Sequence, residues 1–222
     1  MEQSSAQRAL QYIDEHPHIK WCLVQGLLNY TALSRRIAHE LRRDLPSTHA
    51  AIVVAARRYR DLLRKQATTE KEIRVLLERS ALDLHSRIAV AVLGQHLSEQ
   101  SIFDAQQRLR EAGGIVYAVR GTAHWTFIYE ERHEQQITRL LKAAEKVARG
   151  LALVVVKSPQ EIETTVGVCA YLAGLFAENG VNIVEFLSCW TDTLFVIKQA
   201  DVPRTIGFLQ FAAPEKEHSH KT

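Results

Sequence analysis

Over the first 66 residues, apolar side chains recur every three or four positions, which is the period of an α-helix. Pro17, Gly26 and Pro46 interrupt this pattern and divide it into segments. The pattern predicts four helices, over residues 5–16, 19–25, 31–41 and 49–65. Residues that can cap a helix precede three of them: Ser4 or Ser5, Asn29 or Thr31, and Ser47 or Thr48.

After about residue 80 the pattern changes to short apolar runs of strand length, separated by helical segments. Residues 67–80 are predicted as a linker or the end of a helix. The order strand, helix, strand, strand, helix is then predicted twice. The first set covers residues 88–93, 102–112, 115–119, 125–129 and 134–147. The second set covers residues 151–157, 167–178, 181–188, 193–198 and 202–211.

The two sets match at a constant offset of 67 residues, which indicates a tandem repeat. Gly113 falls on Gly180, and Thr126 falls on Thr193. Such a unit, with an additional edge strand, forms an antiparallel sheet covered by two helices on one face. The expected fold class is α+β, with a helical module followed by two ferredoxin-like repeats. The predicted domains are the helical module over 1–68, a first repeat over 69–148, a second repeat over 149–213 and a polar tail over 214–222.

Positive charge is concentrated in the helical module, although the whole chain carries a formal net charge of only +3. Residues 1–66 contain 11 Lys and Arg against 6 Asp and Glu, whereas the remaining 156 residues contain 17 and 19. The order of helices resembles the helix-turn-helix and winged-helix classes. That resemblance implies DNA-facing residues at Arg35, Arg36, Thr48, His49, Arg57 and Arg58. Two alternatives stay open: arginines on solvated helix faces, and a helical cap or dimerisation module whose apolar stretch 50–56 packs on a partner.

A motif surrounds the predicted helix of the second repeat. Residues 165–168 read Thr-Val-Gly-Val before the helix, and residues 179–183 read Asn-Gly-Val-Asn-Ile after it. These segments resemble the ACT domain, a regulatory module that binds amino acids, and residues 188–193 resemble the hairpin of its aspartokinase type. Thr164 and Val166 depart from that family, in which an amide or acidic residue and a proline are usual. The resemblance implies a ligand site formed by Thr164, Thr165, Val166, Gly167, Val168, Val181, Asn182 and Ile183.

The residue types support such a site. Gly167 lets a ligand approach the backbone, and the free N–H groups at a helix start can hold a carboxylate. Asn182 offers a donor and an acceptor to an amino or amide group, and we expect it beside the turn. The alternative is that Gly167 and Gly180 only mark the start and end of a helix. The first repeat lacks the equivalent glycine in residues 95–101, so it is expected to serve as a degenerate scaffold.

Catalysis finds little support in the sequence. The histidine pairs His16–His18 and His218–His220 have no carboxylate or cysteine cluster beside them, so no metal site is expected. Neither of the glycine-rich phosphate-binding motifs occurs, and no cofactor is expected. The three cysteines have no paired spacing, which predicts reduced thiols.

The expected protein is a cytoplasmic, non-catalytic sensor of a small amino acid. No apolar run reaches the roughly 20 residues that cross a bilayer, and the start lacks the apolar region of a signal peptide. The resemblance to ACT domains implies a homodimer, because members of that family commonly join their sheets side by side, and exposed strand edges of the first repeat can pair with the second repeat or with a second chain. Bound effector would change how the basic module meets DNA. The alternative is a regulatory subunit of an amino-acid-pathway enzyme such as aspartokinase, with the helical module holding a protein partner.

Overall fold

The computed structural model describes residues 4–42, 46–64, 70–94 and 96–211. The chain divides into two compact units, Met1–Thr68 and Thr69–Thr222. The predicted polar tail over 214–222, including the pair His218–His220, lies outside the described residues.

The described residues of the first unit form four helices: α1 (Ser5–Glu15), α2 (Pro17–Gln25), α3 (Tyr30–Glu40) and α4 (Pro46–Arg64). The Ser4 side chain accepts a hydrogen bond from the Gln7 N–H, and Asn29 accepts from two N–H groups at the start of α3. Gly26 ends α2 with a φ of 76°, a conformation that favours glycine. The apolar faces meet in one core of Ala9, Tyr12, Ile13, Leu23, Leu33, Ile37, Ala38, Ile52 and Ala56.

The first unit differs from the expectation in two respects. Both α2 and α4 begin at a proline, Pro17 and Pro46, and so start earlier than predicted. Proline fits the first turn of a helix because its missing N–H has no acceptor there. The described residues of this unit contain no strand, so the wing of a winged-helix module has no counterpart among them.

The described residues of the second unit combine helices with a six-stranded antiparallel sheet. The helices are α5 (Glu70–Glu78), α6 (Glu99–Glu111), α7 (Thr138–Lys142), α8 (Val168–Glu178) and α9 (Val202–Phe208). The strands are β1 (Ala81–Gly94), β2 (Val116–Arg120), β3 (His124–Glu130), β4 (Ala144–Lys157), β5 (Ile183–Cys189) and β6 (Asp192–Lys198). Their order in the sheet is β2-β3-β1-β4-β6-β5, and short 3-10 segments precede α7, α8 and α9.

The two 14-residue strands, β1 and β4, each serve two parts of the sheet. The first half-sheet consists of β2, β3, residues 88–94 of β1 and residues 144–148 of β4. The second half-sheet consists of β5, β6, residues 151–157 of β4 and residues 81–86 of β1. Arg87 and Gly150 lie between the two parts with φ angles of 55° and 68°, and bulges shift the register there.

Two predictions at these strands are wrong. The predicted helix over 134–147 ends at Lys142, because residues 144–148 pair with β1 instead. The predicted strand over 88–93 omits residues 81–87, which extend β1 by half its length. In both cases pairing with a distant strand outweighs the local pattern.

The side chains of the sheet alternate between two faces. On one face, α6 and α7 pack against the first half-sheet, while α5, α8 and α9 pack against the second. The other face holds a core of strand side chains alone: Ile88, Val90, Ile128, Leu151, Leu153, Val155, Leu194 and Val196. The two strands at the ends of the sheet order, β2 and β5, line a common groove of about 490 Å³. The sheet therefore curves until its two edges approach each other.

Candidate functional site

The predicted ligand turn lies between β4 and α8. Directly after β4, the Ser158 N–H donates to the Thr191 carbonyl at 2.9 Å. A 3-10 segment, Gln160–Glu163, follows. The hydroxyls of Thr164 and Thr165 donate to the Glu161 carbonyl at 3.2 and 2.7 Å. These bonds fix the chain just before the helix and leave both hydroxyl protons engaged.

Gly167 forms the last step into α8. Its φ of 95° lies in the left-handed region, which side chains rarely adopt. Its carbonyl accepts from the Tyr171 N–H at 2.8 Å, so the helix starts at Val168. A β-carbon at Gly167 would lie 3.5 Å from Cδ1 of Ile73, an ordinary contact. The need for glycine therefore comes from the backbone conformation.

The start of α8 is open. No side chain caps it, and its first turn contains no acidic residue. The first N–H groups of a helix have no acceptor within the helix, so they can bind an anion. Gly167 and Cys169 are exposed and Val166 is 74% exposed, whereas Val168 is buried in the core. The turn therefore presents backbone donors to solvent.

The start of α6, which follows β1 in the same way, is closed. Ser98 caps it, and the Ser98 Oγ accepts from the Ser101 N–H at 3.2 Å. Glu99 places a carboxylate in the first turn and pairs with Arg120. This helix start already holds its own oxygen acceptor and its own negative charge.

Charged side chains flank the open turn. Glu161 pairs with Arg79 at 2.9 Å, and Glu163 is exposed in the same 3-10 segment. A backbone hydrogen bond and the Arg79 guanidinium hold the pKa of Glu161 below its ordinary value. The sequence analysis missed Arg79 because 82 positions separate it from Glu161, and only the fold brings them together.

Asn182 lies at the far end of α8 from Gly167. β5 runs parallel to β4, because β6 pairs antiparallel with both strands. The ladder places Ile183, the first residue of β5, level with Ala152, whereas the turn follows Lys157. At about 3.3 Å per residue, these levels are roughly 17 Å apart. The expectation that Asn182 stands beside the turn therefore does not hold within one chain.

The neighbours of Asn182 serve the core and the end of the helix. Val181 is buried and Ile183 packs against the same core. The Val181 N–H donates to the Phe176 carbonyl at 2.9 Å. Asn182 itself is exposed and precedes β5.

The residues predicted to face DNA separate into two groups. Arg35 and Arg36 on α3 and Arg57 and Arg58 on α4 are all exposed. Thr48, in contrast, is 7% exposed, and a buried hydroxyl is not offered to a base edge. His49 is half-buried, with its Nδ1 3.5 Å from the Ser34 hydroxyl. The helical unit therefore presents guanidinium groups to solvent, while Thr48 is buried and His49 is half-buried.

No three His, Cys, Asp or Glu side chains of the described ranges come together in a way that could hold a metal ion. None of the described helices has the length and apolar character needed to cross a membrane. The cysteines Cys22, Cys169 and Cys189 are free thiols.

Comparison with known proteins gives likeness in structure only. No family model matches this sequence, and no curated protein matches it. Aspartate kinase from Clostridium acetobutylicum is similar at 12% identity and a TM-score of 0.49, over 58% of this chain and 33% of that chain. This chain therefore spans about one third of that protein.

Two further similar structures are matched over nearly their whole length. The regulatory subunit of aspartate kinase from Thermus thermophilus has 16% identity and a TM-score of 0.48, over 60% of this chain and 97% of that chain. A Vibrio cholerae protein of unknown function, called a possible transport protein, has 17% identity and a TM-score of 0.48, over 64% and 98%. The TM-scores of all three similarities lie below 0.5.

Proposed function

We propose that this chain is a non-catalytic regulatory protein that binds a small amino acid at the turn before α8. The open helix start carries this proposal. Gly167 turns the backbone into α8, no side chain caps the helix, and the surrounding residues are exposed. The carboxylate of a ligand can accept from the first N–H groups of α8 and gains from the helix dipole.

The charges beside the turn favour an amino acid over a simple anion. Glu161 and Glu163 stand in the segment just before the turn and would repel an anion. The ammonium group of an amino acid would gain from the same carboxylates. Arg79 pairs with Glu161 and so lessens the repulsion of the ligand carboxylate. A zwitterion satisfies both signs of charge.

The proposal includes two ACT-like repeats with different roles. The repeats would correspond to the two half-sheets, which exchange parts of β1 and β4. The first would serve as a scaffold, because Ser98 and Glu99 already occupy the start of α6. Asn182 could reach a ligand at the turn only from a second copy of the chain, since α8 separates the two in one chain.

Thermal unfolding against the twenty amino acids at millimolar concentration tests the proposal. A ligand at about 100 Kd would stabilise the native state by roughly 2.7 kcal/mol and raise the Tm. For each hit, the amide that lacks the carboxylate and the acid that lacks the amino group are the matched controls, and both should lose the shift. An acid that shifts the Tm as strongly as the amino acid would contradict the role of the carboxylates, and no hit at all would contradict the proposal.

One output of the sensor is polyanion binding by the helical unit. Arg35, Arg57 and Arg58 are exposed and form no ion pair among the described residues. We expect Arg57→Ala with Arg58→Ala to weaken duplex DNA binding and to lower its salt dependence, measured by fluorescence anisotropy. Arg139→Ala on α7 is the control, because Arg139 is exposed in the other unit. Equal loss in the control would contradict a DNA surface on α4.

The alternative output is control of an amino-acid-pathway enzyme such as aspartokinase. Exposed apolar side chains of the helical unit, Leu27, Val54 and Leu62, favour a protein partner. Leu62→Lys should then reduce the amount of purified aspartokinase that binds to this chain, and it should leave DNA binding unchanged. Loss of DNA binding in the same variant, with co-purification intact, would favour DNA.

A further inference from the structure

A pocket lies in the second unit where β3 ends. Glu130, the last residue of β3, pairs with Ile88 of β1, and β1 extends past this pair through residues 81–87. After Glu130 the chain leaves the sheet as a 3-10 segment, Glu131–Ile137. The space beside β1 that β3 does not fill is a pocket of about 220 Å³.

Polar side chains line most of this pocket. Its lining residues are Leu84, His85, Ser86, Arg87, Glu130 and Arg132. The Arg87 N–H donates to Oε1 of Gln199 at 3.1 Å, which holds the backbone of Arg87 and leaves its side chain free. The Arg87 side chain is exposed and forms no ion pair within the part of the chain that the structure describes. Its guanidinium is therefore available to a ligand.

The carboxylate of the pocket already has partners of its own. Oε2 of Glu130 accepts hydrogen bonds from the Ile115 N–H at 3.0 Å and from Nη2 of Arg132 at 2.9 Å. Burial raises the pKa of Glu130, but these two hydrogen bonds outweigh burial and hold that pKa below its ordinary value. Two guanidinium groups against one neutralised carboxylate leave the pocket with a net positive charge. The pocket therefore favours an anion.

The backbone at Arg87 has a conformation that favours glycine. The φ of Arg87 is 55°, and the register between β1 and β4 shifts beside it. Gly150, at the corresponding junction of β4, has a φ of 68°. A side chain in this region costs free energy that glycine avoids, and residues strained in this way cluster at binding sites. At this cost, arginine adds a guanidinium group beside the pocket.

We propose that this pocket binds the phosphate group of a small metabolite and that Arg87 is its main ligand-binding residue. A guanidinium can donate two parallel hydrogen bonds to one phosphate group. The Ser86 hydroxyl and the remaining N–H groups of Arg132 can donate to the other phosphate oxygens. At roughly 30 Å³ per water molecule, the pocket has room for more than the five heavy atoms of phosphate. It is a second site, because none of its lining residues belongs to the turn before α8.

Calorimetric titration of the full chain tests this site. The probes are inorganic phosphate and glycerol 3-phosphate, in about 0.15 M sodium chloride to screen unspecific attraction. Both should bind saturably, whereas glycerol, the matched control without phosphate, should not bind. Tighter binding of glycerol 3-phosphate would identify a phosphate monoester as the ligand, and tighter binding of inorganic phosphate would identify the free ion. Absence of saturable binding for both probes would overturn the proposal.

A variant of Arg87 separates ligand binding from a structural role. Arg87→Gly removes the guanidinium and relieves the backbone, so it should raise the Kd of phosphate more than about tenfold while it raises the urea midpoint. An arginine with only a structural role would lower the midpoint when it is removed. Arg139→Ala on α7 is the control, because Arg139 is exposed and does not line the pocket. An unchanged Kd in Arg87→Gly, or an equal loss in Arg139→Ala, would contradict the assignment.

Two further variants distinguish this pocket from the start of α8. Gly167→Asp places a carboxylate at that helix start and should leave the Kd of phosphate unchanged. Glu130→Gln removes the negative charge of the pocket and frees Arg132, so it should tighten phosphate binding several-fold, with circular dichroism as the check on folding. Loss of binding in Gly167→Asp, or weaker binding in Glu130→Gln, would overturn the proposal. These titrations contain no amino acid, so their outcome is independent of the proposed function.

Discussion

Arg79 donates a hydrogen bond to Glu161 at 2.9 Å and so connects the residue after α5 to the 3-10 segment before α8. Both side chains are exposed, so water screens the ion pair and the pair contributes little to stability. The pair matters more for the charge beside the open helix start, because it neutralises one of the two carboxylates there.

We expect Arg79→Ala to lower the affinity for an amino acid several-fold and to leave the free energy of unfolding nearly unchanged, because the ion pair is exposed. The freed carboxylate of Glu161 would repel the carboxylate of the ligand. Calorimetric titration and urea denaturation measure the two quantities. Arg74→Ala is the control, because Arg74 pairs with Glu70 within α5. An equal loss of affinity in the control would contradict the role given to Arg79.

Substitution of Gly167 should separate charge from backbone strain. Asp and Asn are similar in shape and both tolerate the left-handed conformation better than other residues. Gly167→Asp should abolish amino-acid binding, because its carboxylate would compete for the N–H groups of α8. Gly167→Asn should retain measurable binding in the same titration. Equal affinities in the two variants would move the ligand site away from this turn.

Two glycines without close neighbours should respond to alanine in opposite directions. Gly150 has a φ of 68°, and nothing lies within 4 Å of an added β-carbon. Gly150→Ala should cost about 1–2 kcal/mol, because a side chain is strained in that conformation. Gly174 lies inside α8 with the same free space, so Gly174→Ala should stabilise by about 0.5–1 kcal/mol. Urea denaturation gives both values, and shifts of the same sign would contradict this account.

The Glu134 carboxylate should make stability depend on pH in acid. It accepts from the buried Tyr129 hydroxyl at 3.0 Å and from Arg149 Nε at 2.7 Å. Arg149 holds the pKa of Glu134 below its ordinary value of 4.5, so its contribution is present above that pH and is lost as the pH falls below it. Glu134→Gln should reduce the loss of stability between pH 7 and about pH 2, with most of the difference below pH 4.5.

A matched variant separates the charge of Glu134 from its hydrogen bond. Glu134→Ala leaves the buried Tyr129 hydroxyl without this acceptor, which should cost about 1–3 kcal/mol at pH 7. Glu134→Gln keeps an acceptor and should cost less. Urea denaturation at the two pH values measures both variants, and an equal cost at pH 7 would contradict the role of the Tyr129 bond.

The helices of the first unit could be predicted from the sequence because their signals are local. Ser4 and Asn29 act as caps within three residues of their partners, and Gly26 ends α2 through its own conformation. The burial of Thr48 was not predictable, since it depends on how α4 packs against other helices. Local sequence signals therefore predict where these helices start and end, but they do not predict which residues of the helices contact each other.

The sheet was predictable in its elements and not in its pairing. Residues 144–147 read Ala-Glu-Lys-Val, which suits a helix, yet they pair with β1 across more than 50 positions. The separation of Gly167 and Asn182, in contrast, had a signal in the sequence. β4 and β5 are parallel, because one strand lies between them and pairs antiparallel with both. The helix that connects two parallel strands starts at one end of the sheet and leads back to the other end, where the second strand starts. Gly167 and Asn182 therefore lie at opposite ends of the sheet.

The exchange of strand segments between the half-sheets sets an order of events on the ribosome. Residues 81–86 belong to the second half-sheet but are synthesised before the rest of it. They have no strand to pair with until residues 151–157 have also been synthesised. The first half-sheet in turn lacks its last strand until residues 144–148 emerge. A genetic exchange that joined either half to another protein at residue 143 would carry away a strand that belongs to the other half. Each half therefore lacks one of its strands when it is separated from the other half.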